Sequence, residues 1–389
     1  MLYHKLALGM AASSLMGLLG LSACSDSQTN NSSDLGSNTD IRMNTDLTPQ
    51  TPKGVYTMSN EVAENKIYAY TRAADGTLTP LGSYTTGGKG TGAGLGNQNG
   101  LVFDAAQNRF FVVNAGDNTI SMLALQQDGS LSLLTKVLSG GLTPVSITVS
   151  GSTVFVVNAG DAFTPSNISG FQISGNTLTP IAGSIKPLSI ATPGPAQIQF
   201  AANGAVLVVT EKMTSKIDTY TVAAGVPTGP MVQPSKGTTP FGFAFSGNGK
   251  LIVSEAFTAN PNMGATSSYS LDAAGTLTAV SSSVQSGQTA PCWVAVAGNT
   301  AYVTNAQSNN ITAYTIGTDG ALTLVGNGAS AQTGMGPTDE DVTDNNEFLY
   351  VLNSRDHSIS AFAINADKTL TKKQDFPGIP QSANGLVAR

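Results

Sequence analysis

Charge, histidine and cysteine are all scarce in this chain. Of 389 residues, 11% are charged, two are His and two are Cys, whereas soluble domains average about 25% charged. Two Cys cannot build a disulfide framework, and His4 and His357 cannot form a His-rich metal site. Basic runs are missing as well. Eighteen Lys and Arg are outnumbered by 24 Asp and Glu, giving a net charge of −6 that argues against a nucleic-acid partner. The Ala, Glu, Lys, Leu and Arg enrichment of long helices is also absent. What replaces charge is turn-forming and small polar sequence, including 43 Gly. This composition points to a large all-β protein.

The first residues read as a processing segment. Lys5 supplies positive charge, and Leu6 to Leu21 is apolar but, at 16 residues, short for a membrane span. It ends in Leu21-Ser22-Ala23-Cys24, which resembles the lipobox of bacterial lipoproteins. The resemblance implies a signal peptide over 1–23, a lipid on Cys24, and, with Ser25 following, delivery to the outer membrane. Residues 24–53 are rich in Ser, Thr, Asn and Asp and read as a flexible tether. The expected address is therefore the bacterial cell envelope, with the lipid as the one membrane contact. Cys292, left without a disulfide partner, reads as a small buried apolar residue.

Residues 54–389 repeat. Short apolar strands end in a polar residue at Asn60, Asn114, Asn158, Glu211, Glu255, Asn305 and Asn353, at intervals of about 49 residues. Upstream of most end points lies a Pro opener: Pro144, Pro195, Pro240, Pro291 and Pro337. Downstream come an alternating strand, such as Ile311 to Ile316, and a turn into a fourth strand, as at Asp75-Gly76, Asp128-Gly129 and Asp319-Gly320. Asp-Gly between alternating strands marks a hairpin. Four strands per unit and seven units predict a seven-bladed β-propeller.

The first unit lacks an inner strand, and Asn384-Gly-Leu-Val387 repeats Asn99-Gly-Leu-Val102. The tail is thus expected to complete blade one and close the ring, removing a free edge. Chain order puts the openers, the polar column and the long connections 87–96, 160–167 and 257–265 on one face, which reads as the functional face.

The repeated Val-x-Asn, Ile-x-x-φ and Asp-Gly-x-Leu units resemble the seven-bladed propeller lactonase family, which includes propeller-type 6-phosphogluconolactonases and carboxymuconate-cyclising enzymes. The segments 194–200, 209–212 and 239–245 look like a secreted, lipoprotein-type branch of it. The resemblance implies a lactone hydrolase. Its members typically carry a His after an inner-strand Pro; here those positions hold Val145, Ala196, Phe241, Cys292 and Thr338.

Asn at five of the seven column positions suits a capping role, since a short amide satisfies turn backbone groups. Glu211 and Glu255 stand apart, and are expected to be a general base and its partner carboxylate. Their bland alternative is ion pairing, for instance with Lys212. Two residues beyond the openers, Gln197, Trp293 and Asp339 are candidate binding groups, Asp339 opening an acidic run to Asp341. Trp293 could as well be interblade packing. Arg355 and His357 are candidates for an anionic substrate or an oxyanion, or an exposed loop pair. Oxygen ligands from Glu211, Glu255 and Asp339 could hold Ca²⁺, though no cofactor is demanded. Partners are expected to be a small lactone or carbohydrate bound by a monomer. The alternative is a non-catalytic surface propeller that grips a glycan, peptide or envelope partner.

Overall fold

The structure, a computed structural model, describes residues 52–202 and 204–389. The signal segment, Cys24 and nearly all of the tether lie outside those residues. The described residues belong to one compact unit.

Seven antiparallel sheets are arranged as blades, each with inner, second, third and outer strands. In blades three and six the outer strand is split into two short pieces. The single helical element among the described residues is a short turn, Phe257–Ala259. The fold is an all-β, seven-bladed propeller.

Local chemistry explains the blade. Second strands such as Arg109–Asn114 and Val206–Glu211 are rich in Val and Phe and almost wholly buried, because both sheet faces pack against neighbouring blades. Outer strands alternate exposed and half-buried residues, as in Leu131–Leu138. At the hairpins, Asp75 Oδ1 accepts the Thr77 N–H at 3.0 Å and Asp319 Oδ1 that of Ala321 at 2.9 Å. The Gly between has φ of +89° or +96°, which a side chain would resist.

Blade one is closed by Asn384–Ala388, which pairs with Gly54–Met58 through Val55 with Ala388, Tyr56 with Val387 and Thr57 with Leu386. Thr57 Oγ1 donates to the Gly385 carbonyl at 2.7 Å across the seam. The ring is closed non-covalently by hydrogen bonds and buried side chains from both ends of the domain.

An inner strand has no neighbour on its channel side, so its edge groups need other partners. Side chains of the preceding blade supply them. Ile198 N–H donates to Ser146 Oγ at 3.0 Å, and Phe243 N–H to Gln197 Oε1 at 2.7 Å. The Leu386 and Ala388 N–H groups donate to Asp339 Oδ2 at 3.1 Å and Asp341 Oδ2 at 2.8 Å. Blade five has Gly242 at this position, and Gln98 takes over from a connecting segment: its Oε1 accepts Val294 N–H at 3.1 Å and its Nε2 donates to Val294 O at 2.8 Å.

Candidate active site in the central channel

The end of the channel that carries the Pro openers is shut. Residues 96–98 cross it and hold three other blades. Lys212 Nζ donates to Gly96 O, Asn97 Nδ2 to Val145 O, and Trp293 Nε1 to Asn97 O at 2.7 Å. Trp293 also packs edge-on against Phe241, with centroids 5.2 Å apart, and the Lys212 ammonium lies 5.0 Å from the same ring. Burial lowers the Lys212 pKa to about 8 and raises that of Cys292 beneath it to about 12. Reading the opener face as the functional one is thereby corrected. Its longest connection leads into the segment that plugs the mouth.

A cavity of about 310 Å³ occupies the rest of the channel and opens on the opposite face, among the inner hairpins. Its polar lining comes from Gln98, Asn99, Gln199, Asp339, Glu340, Asp341, Asp344 and Arg389, and Phe103, Phe243 and Phe245 form apolar walls. Each acidic group is in a different state. Asp339 is buried and accepts the Glu340 and Leu386 N–H groups; burial raises its pKa despite those bonds. Glu340 is 2% exposed, and its carboxyl oxygens are buried without a well-formed hydrogen bond among the described residues. Burial and then Asp339 raise its pKa, against weaker help from the backbone of Thr304 and Ala295. Asp341 accepts the Val342 and Ala388 N–H groups at 2.8 Å, and burial lifts its pKa to about 7. Asp344 stands exposed at the mouth.

Arg389 is the positive counterpart. Its Nη2 lies 3.1 Å from Asp344 Oδ2, and its guanidinium sits 3.8 Å from the centre of the Phe103 ring. Nε and Nη1 are buried and have no partner among the described residues. A carboxyl poised near neutrality and an arginine therefore line one pocket, a pairing suited to deprotonating water beside a carbonyl.

Residues 255–383 match the profile of a family described as "Lactonase, 7-bladed beta-propeller". No curated protein matches the chain. Among solved structures, the periplasmic gluconolactonase PpgL of Pseudomonas aeruginosa superposes with a TM-score of 0.69 at 16% identity, covering 86% of this chain and 98% of that one. A Bacteroides uniformis protein provisionally called a 6-phosphogluconolactonase gives 0.67 at 18%, covering 86% and 100%. A functionally unknown protein of Desulfotomaculum acetoxidans gives 0.66 at 14%, covering 86% and 98%. These likenesses concern the fold.

The propeller distributes the sequence candidates differently from expectation. Glu211 and Glu255 are fully buried in separate blades, away from the cavity lining. Glu211 accepts the Ser189 N–H at 3.0 Å and the Ser189 and Thr214 hydroxyls. Glu255 accepts Gly237 N–H at 2.7 Å and the hydroxyls of Ser267, Ser283 and Ser235 at 2.6, 2.7 and 3.2 Å. Asn114 does the same work by accepting Thr86 Oγ1 and donating to Ser121 Oγ at 2.9 Å. The Glu residues cap after all, because a longer carboxylate reaches the next connection as well as a short amide does.

Neither do these carboxylates meet Asp339, so the Ca²⁺ arrangement is not formed; among the described residues no three acidic, His or Cys groups could hold a metal ion. Gln197 is spent on Phe243 and Gln199. Trp293 belongs to the plug. Arg355 is exposed in a turn and His357 supplies its left-handed residue at φ +54°, both away from the cavity lining. Of the sequence candidates, Asp339 alone lines the cavity, and there it serves as an edge cap. Glu340, Asp341 and Arg389 went unselected. The acidic run pointed to the first two. The Asn384 repeat aligns Arg389 with Asp104 at the hairpin end of an inner strand, which was the available signal for the third.

Proposed function

We propose that this lactonase-type propeller hydrolyses a lactone ring inside the channel cavity. The observation that carries the reading is that Asp341, with its pKa near 7, lines one pocket together with Arg389. Asp341 takes a proton from water as the water oxygen bonds to the ring carbonyl carbon. Arg389 donates to the oxyanion of the tetrahedral intermediate. Collapse breaks the ring C–O bond, and the proton on Asp341 passes to the leaving alkoxide, giving a hydroxy acid. Backbone N–H bonds from Val342 and Ala388 fix the carboxyl and leave its remaining lone pairs for water.

The Leu21-Ser22-Ala23-Cys24 motif supports a lipid anchor on Cys24, with residues 24–53 tethering the propeller to the envelope. Cys24→Ser should then move the protein from the membrane fraction to the soluble one.

Hydrolysis is tested by acid release from a panel of four-, five- and six-membered lactones. Turnover by the native chain that disappears in both Asp341→Asn and Arg389→Met supports the reading. Turnover retained in both variants overturns the site, and no turnover on any ring overturns the activity.

A further inference from the structure

Exposed large apolar side chains are unevenly spread over the propeller. Among the described residues they lie on outer strands or on the plugged opener face, and none sits on the inner hairpins where the cavity opens. Leu138, Phe163, Ile185, Ile190 and Met213 are each more than half exposed and come from neighbouring pieces of chain at the opener end of blades two to four. These pieces touch. A Cβ on Gly140, two residues beyond Leu138, would stand 4.0 Å from Ile185 Cδ1, and Asn167 pairs with Pro187. Ser166 N–H donates to Ala191 O at 2.8 Å and Met213 N–H to Pro193 O at 3.0 Å. Contiguous exposed apolar surface of this kind marks an interaction site.

The patch is built rather than left by a slack loop. Asp161 Oδ1 accepts the N–H groups of Phe163 and Thr164 at 2.9 and 2.7 Å, and Asp161 N–H donates to Thr164 O at 3.0 Å. Ser166 Oγ donates to Ala159 O at 2.6 Å. This tied turn presents Phe163 at 94% exposure. Charge hardly enters. Within 138–141, 159–167 and 184–194 the charged residues are Asp161 and Lys186, one of each sign, whereas the cavity on the other face is lined by acids. Apolar side chains on short turns, with no charge pattern to orient a protein partner, suit insertion among lipid headgroups.

The reach of the chain fits that partner. The propeller begins at the cavity-mouth face, where Gly54 O accepts the N–H of Arg389 at 2.8 Å and Arg389 lines the cavity. Residues 24–53 extend to about 100 Å at about 3.3–3.6 Å each. Strands of six to eight residues stand about 20–26 Å tall, so a chain of that length passes the height of the domain. We infer that the opener face rests on a phospholipid bilayer, with Leu138, Phe163, Ile185, Ile190 and Met213 entering the boundary between headgroups and acyl chains. The inference takes the nearness of a membrane from the anchor reading. A lipid on Cys24 keeps the domain close to the surface, so a modest patch suffices to orient it. With that face down, the cavity mouth points into the aqueous phase, open to small water-soluble substrates.

The test uses the purified full chain carrying Phe163→Trp, vesicles of phosphatidylethanolamine and phosphatidylglycerol, and iodide as a water-borne quencher. Trp293, the one native tryptophan, is buried and gives a constant background. Phe163 is almost fully exposed, so a larger ring there leaves the packing alone. Vesicles should shift the emission of the introduced indole to the blue and cut its iodide quenching about threefold or more. An indole introduced by Ala106→Trp, on an exposed inner hairpin, should stay open to iodide. Adding Ile190→Asp and Met213→Asp to the Phe163→Trp chain should abolish the protection. An indole at 163 that vesicles leave open, protection at 106 instead, or protection that survives the two aspartates overturns the inference. Protection without vesicles that disappears on dilution identifies a second copy as the occupant and overturns it too. Mass spectrometry of Cys24 keeps the anchor separate. A chain without lipid whose indole at 163 is still shielded by added vesicles supports the inference while the anchor falls. A lipidated, vesicle-bound chain with an open indole overturns it while the anchor stands.

Discussion

Asp218 faces Glu211 in blade four, setting a carboxyl against a carboxylate where other blades set an amide or a carboxylate against a hydroxyl. The corresponding pairs are Asn114 with Ser121, Asn305 with Thr312, Asn353 with Ser360 and Glu255 with Ser267. Two buried acids side by side are tolerable when one keeps its proton. Burial first and Glu211 second raise the Asp218 pKa to about 8.

That shift makes the domain's stability pH-dependent. An acid whose folded pKa lies above its unfolded value near 4 binds more protons folded than unfolded across the interval between them. Its contribution is fully present below about pH 4 and is lost as pH rises to about 8. Asp218→Ser restores the hydroxyl of the other blades. Thermal melts should show the variant gaining stability at pH 8 and gaining little at pH 4. Equal gains at both values would mean that the proton is not shared.

Removing charge from the capping glutamates should affect folding and spare chemistry. Each accepts hydrogen bonds that are stronger for being to a carboxylate, so Glu255→Gln and Glu211→Gln should each cost about 1.5–3 kcal/mol in denaturant titrations. Lactone turnover per folded molecule should be unchanged, since neither side chain lines the cavity. A kcat that falls a hundredfold in a fully folded Glu255→Gln protein would return the chemistry to the polar column.

The ring was legible in the sequence because its signals are local and repeat. A polar strand end, an Asp-Gly turn and a Pro opener each report on the few residues around them, and seven copies average out the exceptions. Even the closing strand announced itself through Asn384-Gly-Leu-Val387. The site was not legible, because it depends on contacts between distant blades. Nothing within 87–98 says that Gln98 will bond Val294, 196 residues away, and that bond helps decide which end of the channel is closed. The role of Glu255 was hidden for a related reason. Its carboxylate fits because Gly237 in the preceding connection has no side chain; a Cβ there would lie 2.2 Å from Glu255 Oε2.

Asp341 gives the hydrolytic scheme a characteristic pH profile. A general base must be ionised to act, so kcat/KM should rise with pH and level off above a midpoint near 7, the value to which burial raises this carboxyl. The unperturbed reference for an Asp is about 3.9, and a profile already flat at pH 5 would exclude Asp341 as the base. Asp341→Asn should lower kcat by about 10²–10⁴-fold. It should also cost stability, because Ala388 N–H loses a carboxylate acceptor at the ring closure.

The plug can be tested at Gly242, the one position where a side chain on the inner strand of blade five would compete with Gln98. A Cβ there would fall 2.1 Å from Gln98 Oε1 and 2.6 Å from the Cys292 carbonyl oxygen. Since the second neighbour is backbone, the strain cannot be relieved by rotating one side chain, and Gly242→Ala should cost about 1–3 kcal/mol as an overpacked core does. Gln98→Ala should cost about as much by a different route, leaving the Val294 N–H and carbonyl without their partner. Both changes break the same cap, so the double variant should lose less than the two single losses added together. Full additivity in urea titrations would mean that Gln98 is not what occupies the space Gly242 leaves.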